Sequence, residues 1–272
     1  MRVAGVDLAD AHVVGGGNIC RAWRTTTADG RAVFVKTLTA APPGFFAAEA
    51  DGLRWLTAPS GPPVPDVVAV GEDGLVLEWV DPGRPSSQGA EAFGRALAAM
   101  HRCSPDGFGR RGIGFIGSLS LPNEARGDWP TFYVEQRIAP YLPSLSADQR
   151  HVVEQVCARI HDVAGPAEPA ARLHGDLWSG NLLWGGDGQV WLIDAGAAHG
   201  GHRETDLAML ALFGAAHLDV VIAAYDEVAP LADGWRGRIP LHQLHPLLVH
   251  ATLFGGGYGA RAASAARAAL AA

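Results

Sequence analysis

The chain has 272 residues, with 28 acidic against 21 basic side chains and a net charge of −7 when histidine is neutral. That balance argues against a nucleic-acid footprint, and no apolar run approaches the roughly 18–20 residues that a membrane span needs. Cys20, Cys103 and Cys157 lack C-x-x-C spacing, so they suggest neither a disulfide framework nor a zinc site. Met1 to Asp7 lacks the apolar core of a signal peptide. A cytoplasmic protein is expected, and a monomer, with length enough for one large domain or two lobes.

In chain order, Val13 and Val14 lead into the turn Gly15-Gly16-Gly17, and a second turn at Asp29-Gly30 precedes Ala32-Val33-Phe34-Val35-Lys36. This reads as a β-meander, which excludes the Walker loop and the dinucleotide fingerprint, since both need a helix next. Glycines permit close backbone approach, so such a hairpin can lie over nucleotide phosphates, and Lys36 ends the strand that follows it. Cys20 falls just past the glycines, where an unreactive thiol is the expectation, because no base or helix N-terminus is at hand to lower its pKa. After the Pro42-Pro43-Gly44 break, a helix is expected from Phe45 to Leu56, with Glu49 placed to face Lys36. Val67–Gly71 and Leu75–Val80 flank a turn at Glu72-Asp73-Gly74. The backbone from Glu78 to Val80 then offers hydrogen bonds to an adenine edge, and the lobe boundary falls near Asp81.

Helices dominate afterwards. Phe93, Leu97 and Met100 form an amphipathic stripe. Phe108 to Ser118 is too irregular for an element and reads as a functional loop or lid. One helix is expected from the Ser146-Ala147-Asp148-Gln149 start through Val163, another near Arg203–Phe213 and another over Leu218–Val228. His199, His202, His242, His245 and His250 have no acidic or cysteine partner at zinc-binding spacing, so zinc is not expected. The alanine-rich end from Tyr258 to Ala272 is helix-prone with little to pack and is expected to fray.

The chemistry concentrates in Leu173-His174-Gly175-Asp176-Leu177-Trp178-Ser179-Gly180-Asn181 and in the strand Gln189–Asp194 that answers it. The Asp187-Gly188 turn makes the two a loop followed by a hairpin. They bring together the oxygen-bearing side chains of Asp176, Asn181 and Asp194. Phosphoryl transfer from a nucleotide needs this set: a carboxylate to take the hydroxyl proton, and an amide and a second carboxylate to hold Mg²⁺. Asp206 reads as a tie for the loop backbone and not as a metal ligand.

The interval Asp176 to Asn181 is that of the protein-kinase catalytic loop, and Asp194 stands where kinases carry the metal-binding Asp of D-F-G, with Ala195-Gly196 following. His174 to Asn181, Leu192-Ile193-Asp194 and Gly201 to Met209 together resemble the fructosamine (ketosamine) kinase family, within the aminoglycoside-phosphotransferase branch of kinase-like folds. Gly15-Gly16-Gly17, Phe34-Val35-Lys36 and Phe46 to Leu53 agree with it. The resemblance implies a two-lobed α+β fold, with a small β-rich N-lobe over 1–81 and a larger, mainly helical C-lobe over 82–272. It implies ATP and Mg²⁺ as cofactors and a ketosamine on a small amine or a glycated protein as substrate. Asp176 and Asn181 would be catalytic and Asn181 and Asp194 would bind metal. Gly15, Gly16, Gly17, Lys36, Glu49, Glu78 and Val80 would bind the nucleotide, and Trp178, Phe115, His202 and Arg203 would meet the substrate. Gly114 and Phe115 stand where the family has Asn and Tyr, and this loss of polar groups suggests a broad substrate range. The rivals are a kinase of an aminoglycoside, choline or a hydroxy-amino acid, and a non-catalytic nucleotide-binding module.

Overall fold

Alternation of apolar residues between Ala32 and Thr37 buries Val33 and Val35 completely, and this strand lies inside the sheet that shapes the first lobe. The computed structural model describes residues 1–15 and 19–272; the expectations for Gly16 and Gly17 lie outside the described residues. Strands β1 (Arg2–Val3), β2 (Val6–Val13), β3 (Arg21–Thr27), β4 (Ala32–Thr37), β5 (Val67–Gly71) and β6 (Gly74–Glu78) form one sheet in the order β1-β2-β3-β4-β6-β5. Every pairing in it is antiparallel. Helix α1 (Phe45–Leu56) starts after Gly44 and buries Phe46, Leu53 and Leu56 together with Leu75 and Leu77 of β6. The expected helix and the observed one have the same bounds.

The second lobe begins with α2 (Ser87–Arg102), whose first turn is capped by Ser86 accepting from the Gly89 N–H at 3.1 Å. Phe93, Leu97 and Met100 are its core face, as their spacing predicts. Within the stretch expected to be irregular, β7 (Gly114–Ile116) pairs with β8 (Leu119–Leu121) as a small antiparallel hairpin. Three-residue strands are too short for alternation to reveal. Next come α3 (Trp129–Phe132), a π-helical turn over Tyr133–Ile138, a 3-10 segment over Ala139–Ser144, and α4 (Ala147–Ala158) with a capping box between Ser146 and Gln149. The single helix expected through Val163 breaks at Arg159, leaving α5 (Ile160–Val163) as a separate turn; no residue type at the break accounts for it.

Three short antiparallel pairs then frame the catalytic stretch. They are built from β9 (Ala171–Leu173), β10 (Leu182–Trp184), β11 (Val190–Leu192) and β12 (His199–Gly201), with β9 on β12 and β10 on β11, and from the β7–β8 hairpin. Helices α6 (Glu204–Phe213), α7 (Leu218–Val228), α8 (Trp235–Phe254) and α9 (Tyr258–Ala271) complete the lobe. The last helix does not lack a partner: Ala262, Ala263, Ala266 and Ala269 are buried, the small side chains letting it lie close to its neighbours. Among the described residues, no helix is long and apolar enough to cross a membrane.

The core of the second lobe holds His199, His202, His242 and His245, and burial pushes each below its ordinary value of 6.5. The folded protein therefore keeps these rings neutral while the unfolded chain protonates them below about pH 6.5. Their stabilisation is complete above that pH and is lost as pH falls toward the folded values, at about 1.4 kcal/mol per pH unit for each ring. They outnumber the two cleft carboxyls, Glu49 and Asp176, which burial pushes upward and which act in the opposite sense. Urea unfolding at pH 7.5 and 5.5 should therefore give a midpoint several tenths molar lower, on the order of 1–2 kcal/mol after the carboxyls are offset, at the acid pH. Equal midpoints would mean that these rings titrate normally in the fold.

Candidate active site

The catalytic loop leaves β9 at Leu173, and its backbone is fixed by side chains aimed at it. Asp206, fully buried on α6, accepts from the His174 N–H at 2.8 Å and the Gly175 N–H at 3.0 Å. His174 Nε2 lies 2.8 Å from the Ile193 carbonyl, which can only accept. The ring therefore carries its proton there and turns Nδ1 toward the Asp176 N–H at 3.3 Å. This imidazole thus couples the loop to the end of β11, one residue before Asp194. Asn181 closes the far side, its amide donating to the Asp176 carbonyl at 2.8 Å and to Asp176 Oδ2 at 3.2 Å. Burial and the nearby Asp194 carboxylate push Asp176 up to about 7, against the Asn181 hydrogen bond. A carboxylate poised there can accept a proton near neutrality.

Opposite the loop, Lys36 Nζ lies 2.8 Å from Glu49 and 3.0 Å from Asp194. Burial alone would lower the Lys36 pKa, but the two carboxylates outweigh it and keep the ammonium charged. Lys36 in turn holds Asp194 below its usual range against desolvation. The Asp194 backbone is left-handed at φ 61, and its side chain is 52% exposed toward the cleft. The carboxylate of Asp194 and the Asn181 Oδ1, which accepts no hydrogen bond among the described residues, are hard oxygen donors of the kind that suits Mg²⁺.

One determinant escaped sequence reasoning. Gly52 lies on α1 three residues past Glu49, and a Cβ there would stand 1.9 Å from the Ala195 carbonyl oxygen. The helix thus rests directly on the backbone that follows Asp194, which places Glu49 at Lys36. The isolated glycine within a helical pattern was the available signal. Cys20 is half-buried, and burial raises its thiol to about 11, which agrees with the unreactive reading.

The remaining candidates divide. Gly15 follows β2 among the described residues. Glu78 ends β6, its carboxylate accepting from the Asp66 N–H at 3.2 Å; with Val80 it lines a cavity of about 230 Å³. Among the described residues, Val80 makes no backbone hydrogen bond. Trp178 stands 38% exposed on the loop. Phe115 is buried, edge-on to Phe45 of α1 at 5.2 Å, and it also lines a cavity of about 450 Å³ with Pro43, Trp55 and Arg110. A Cβ at Gly114 would lie 2.8 Å from Asn123 Nδ2 and 3.0 Å from the Gly196 carbonyl oxygen. An asparagine there needs the end of the Asn123 side chain to turn aside, and Asn123 Nδ2 is buried without a hydrogen-bond partner among the described residues. His202 is buried, 5.0 Å from Trp129 and 4.9 Å from His242 between ring centres. Arg203 grips Glu168 with two bonds of 2.7 Å and donates to the Ala229 and Pro230 carbonyls. The Arg203 guanidinium thus serves the fold, and His202 accepts from the Glu204 N–H through Nδ1 at 3.3 Å. The pair Glu204 and Arg238 was also missed: Arg238 holds both carboxylate oxygens at 2.9 and 2.6 Å beside His242.

A strand lysine paired to a helix glutamate, across a cleft from an Asp-Asn loop, belongs to phosphotransferases that use an alcohol group as acceptor. The two-lobed kinase-like fold is shared with an aminoglycoside phosphotransferase of solved structure, at a TM-score of 0.67 over 96% of this chain and 94% of that one, with 17% identity. The fructosamine kinase family model matches residues 2–272, and the chain belongs to that family. It is 38% identical to a probable ketoamine kinase of Thermus thermophilus, over 95% of this chain and 94% of the relative. It is 33% identical to the chloroplastic protein-ribulosamine 3-kinase of Arabidopsis thaliana, over 92% of this chain and 79% of that protein. The crystal structure of a provisionally named fructosamine-3-kinase from Thermobifida fusca is similar at 48% identity and a TM-score of 0.92, covering 99% and 96% of the two chains.

If the approach of α1 to Ala195 sets the position of Glu49, Gly52→Ala should lower kcat/KM by at least tenfold. It should also destabilise the protein by about 1–3 kcal/mol, the usual range for overpacking. Steady-state kinetics and thermal unfolding of the variant measure both, and wild-type values in each would show that the contact does not position the helix.

Proposed function

We propose that the protein transfers the γ-phosphoryl group of ATP to a sugar hydroxyl of a ketosamine, a fructosamine or ribulosamine carried on a small amine or on a glycated protein. The observation that carries this reading is the placement of Lys36 between Glu49 and Asp194, facing a loop in which Asn181 holds Asp176. The names of the relatives, ketoamine kinase and protein-ribulosamine 3-kinase, support the substrate class.

In the reaction, the substrate oxygen forms a bond to the γ-phosphorus while the bond from phosphorus to the β–γ bridging oxygen breaks, and ADP leaves. Asp176 takes the hydroxyl proton at a carboxylate oxygen. Its raised pKa keeps it basic enough to do so near neutral pH. Lys36 binds the α/β-phosphates, and Glu49 keeps its ammonium in place. Asn181 holds Asp176 with its amide and offers its oxygen, with Asp194, to Mg²⁺, which would neutralise charge on the phosphates when bound. The turn at Gly15 covers the phosphates and the Glu78–Val80 backbone receives the adenine edge. On this reading residues 1–81 form the nucleotide-covering lobe and 82–272 the catalytic and acceptor lobe, in a monomeric cytoplasmic enzyme.

The test is ADP release from Mg²⁺-ATP with a ribulosamine, a fructosamine and kanamycin side by side. The ketosamines should be turned over with the higher kcat/KM. An advantage for kanamycin above about tenfold, or about 1.4 kcal/mol of transition-state binding, would overturn the assignment. Asp176→Asn should leave folding and ATP affinity near wild type while lowering kcat by about 10²–10⁴-fold. Turnover within a few-fold of wild type would remove Asp176 from the role of base.

A further inference from the structure

Trp178 does not stand alone on the catalytic loop. Its indole meets Phe213, the last residue of α6, edge-on with ring centres 5.9 Å apart. Phe213 lies 5.1 Å from His250 on α8. His250 lies 5.5 Å from Phe254 at the end of that helix and 5.0 Å from Tyr258 at the start of α9. The rings form one run from the catalytic loop out along the second lobe.

Two observations separate this run from an ordinary packing seam. The first is exposure. Among the described residues, the exposed large aromatic side chains are Trp178 at 38% and Phe254 at 58%, and both belong to this run. A seam between helices would bury its rings, whereas here Phe213, His250 and Tyr258 are half-buried and both ends are open. The second is position. The β7–β8 turn at Gly117 sits against both Ile19 and Leu253, a Cβ there falling 3.3 Å from Ile19 Cδ1 and 3.0 Å from Leu253 Cδ1. Ile19 lies two residues before β3 and Leu253 precedes Phe254, so the Phe254 end of the run lies beside the first lobe, while its other end, Trp178, is on the loop that carries Asp176. His250 fits among the rings as a neutral imidazole, since burial holds it below its ordinary value of 6.5 against the hydrogen bond that its Nδ1 donates to the Pro246 carbonyl at 2.7 Å.

A ketosamine is a sugar joined through a methylene to an amine that carries the rest of the molecule. With the sugar hydroxyl at Asp176, the exposed Trp178 two residues on offers that rest a way out of the cleft. We propose that Phe213, His250, Phe254 and Tyr258 form a subsite for the amine-borne part of the substrate, selecting an aromatic or extended apolar group. This inference rests on the ketosamine reading above and adds a specificity to it. Ring faces along the path bury apolar area and favour edge or offset contact with an aromatic group, and the first of them attracts the protonated amine itself.

The experiment compares two adducts of the same sugar, fructosyl-benzylamine and fructosyl-methylamine, under Mg²⁺-ATP. The wild type should favour the benzyl adduct by about tenfold in kcat/KM, the scale of one or two aromatic contacts. In Phe254→Ser the ratio should fall toward one, through KM for the benzyl adduct and not through kcat. Phe254 is exposed, so the variant should fold. Ile113→Ser, which alters an equally exposed apolar side chain away from the run, should keep the wild-type ratio. Equal kcat/KM for the two adducts in the wild type, or a benzyl preference that survives in Phe254→Ser, would overturn the subsite while leaving the ketosamine reading intact. No turnover of either adduct would overturn the reaction and the subsite together.

Discussion

The structure depends on one buried ammonium. Lys36 comes from the sheet, Glu49 from the helix that crosses it, and Asp194 from the second lobe, and the three meet within 3.0 Å. Removing Lys36 would strand the buried Glu49 carboxylate, at a cost of about 3–5 kcal/mol, whereas Asp194 keeps contact with water. The assembly therefore ties the lobes together across the cleft. Its precondition is steric: α1 can bring Glu49 this close because Gly52 has no side chain to hold it off Ala195. Arg172 adds a second tie, reaching from β9 to donate to the Thr57 carbonyl at 3.0 Å and to that of Trp55, so the last turn of α1 is capped from the strand that starts the catalytic loop.

The catalytic loop is irregular, so its peptide groups need partners other than a ladder. Asp206 accepts two of its N–H groups from α6, His174 spans to Ile193, and Asn181 donates back to the Asp176 carbonyl. Each of these side chains serves the backbone first, and Asp176 is left presenting a carboxylate with little solvation. Its raised pKa is a consequence of that arrangement: burial and the Asp194 charge outweigh the single amide donor.

Buried polar groups elsewhere play the same architectural part. Arg137 is almost fully buried with no carboxylate against it among the described residues, and it donates to the Pro122 carbonyl and to Asn123 Oδ1 while lying 4.6 Å from the Phe132 ring centre. Burial pulls its pKa down to about 9. It pins the chain just after β8, and the β7–β8 hairpin packs against α1 and Gly196. The polar atoms of Arg203, Glu204 and Arg238 are likewise spent on joining α6 to α8 and to the loop at Glu168.

What the sequence determined by itself was whatever follows from local order. The helix from Phe45 to Leu56, the hairpins and the amphipathic stripe of α2 are visible because periodicity and turn residues act over a few positions. The set Lys36, Glu49, Asp176, Asn181 and Asp194 was legible because its chemistry demands particular residue types in a particular order. Tertiary structure decided the rest. Phe115, His202 and Arg203 lie within segments whose letters match a family pattern, yet only packing shows that one supports α1 and the others hold α6. Tyr258 to Ala271 looks like a helix with nothing to bury until its alanines meet α8. Nor does any local pattern bring Trp178, Phe213, His250, Phe254 and Tyr258 together, since they come from four separate segments. A stretch of chain encodes which residues can pair along itself, whereas contact between distant segments is settled by how the whole core closes around them.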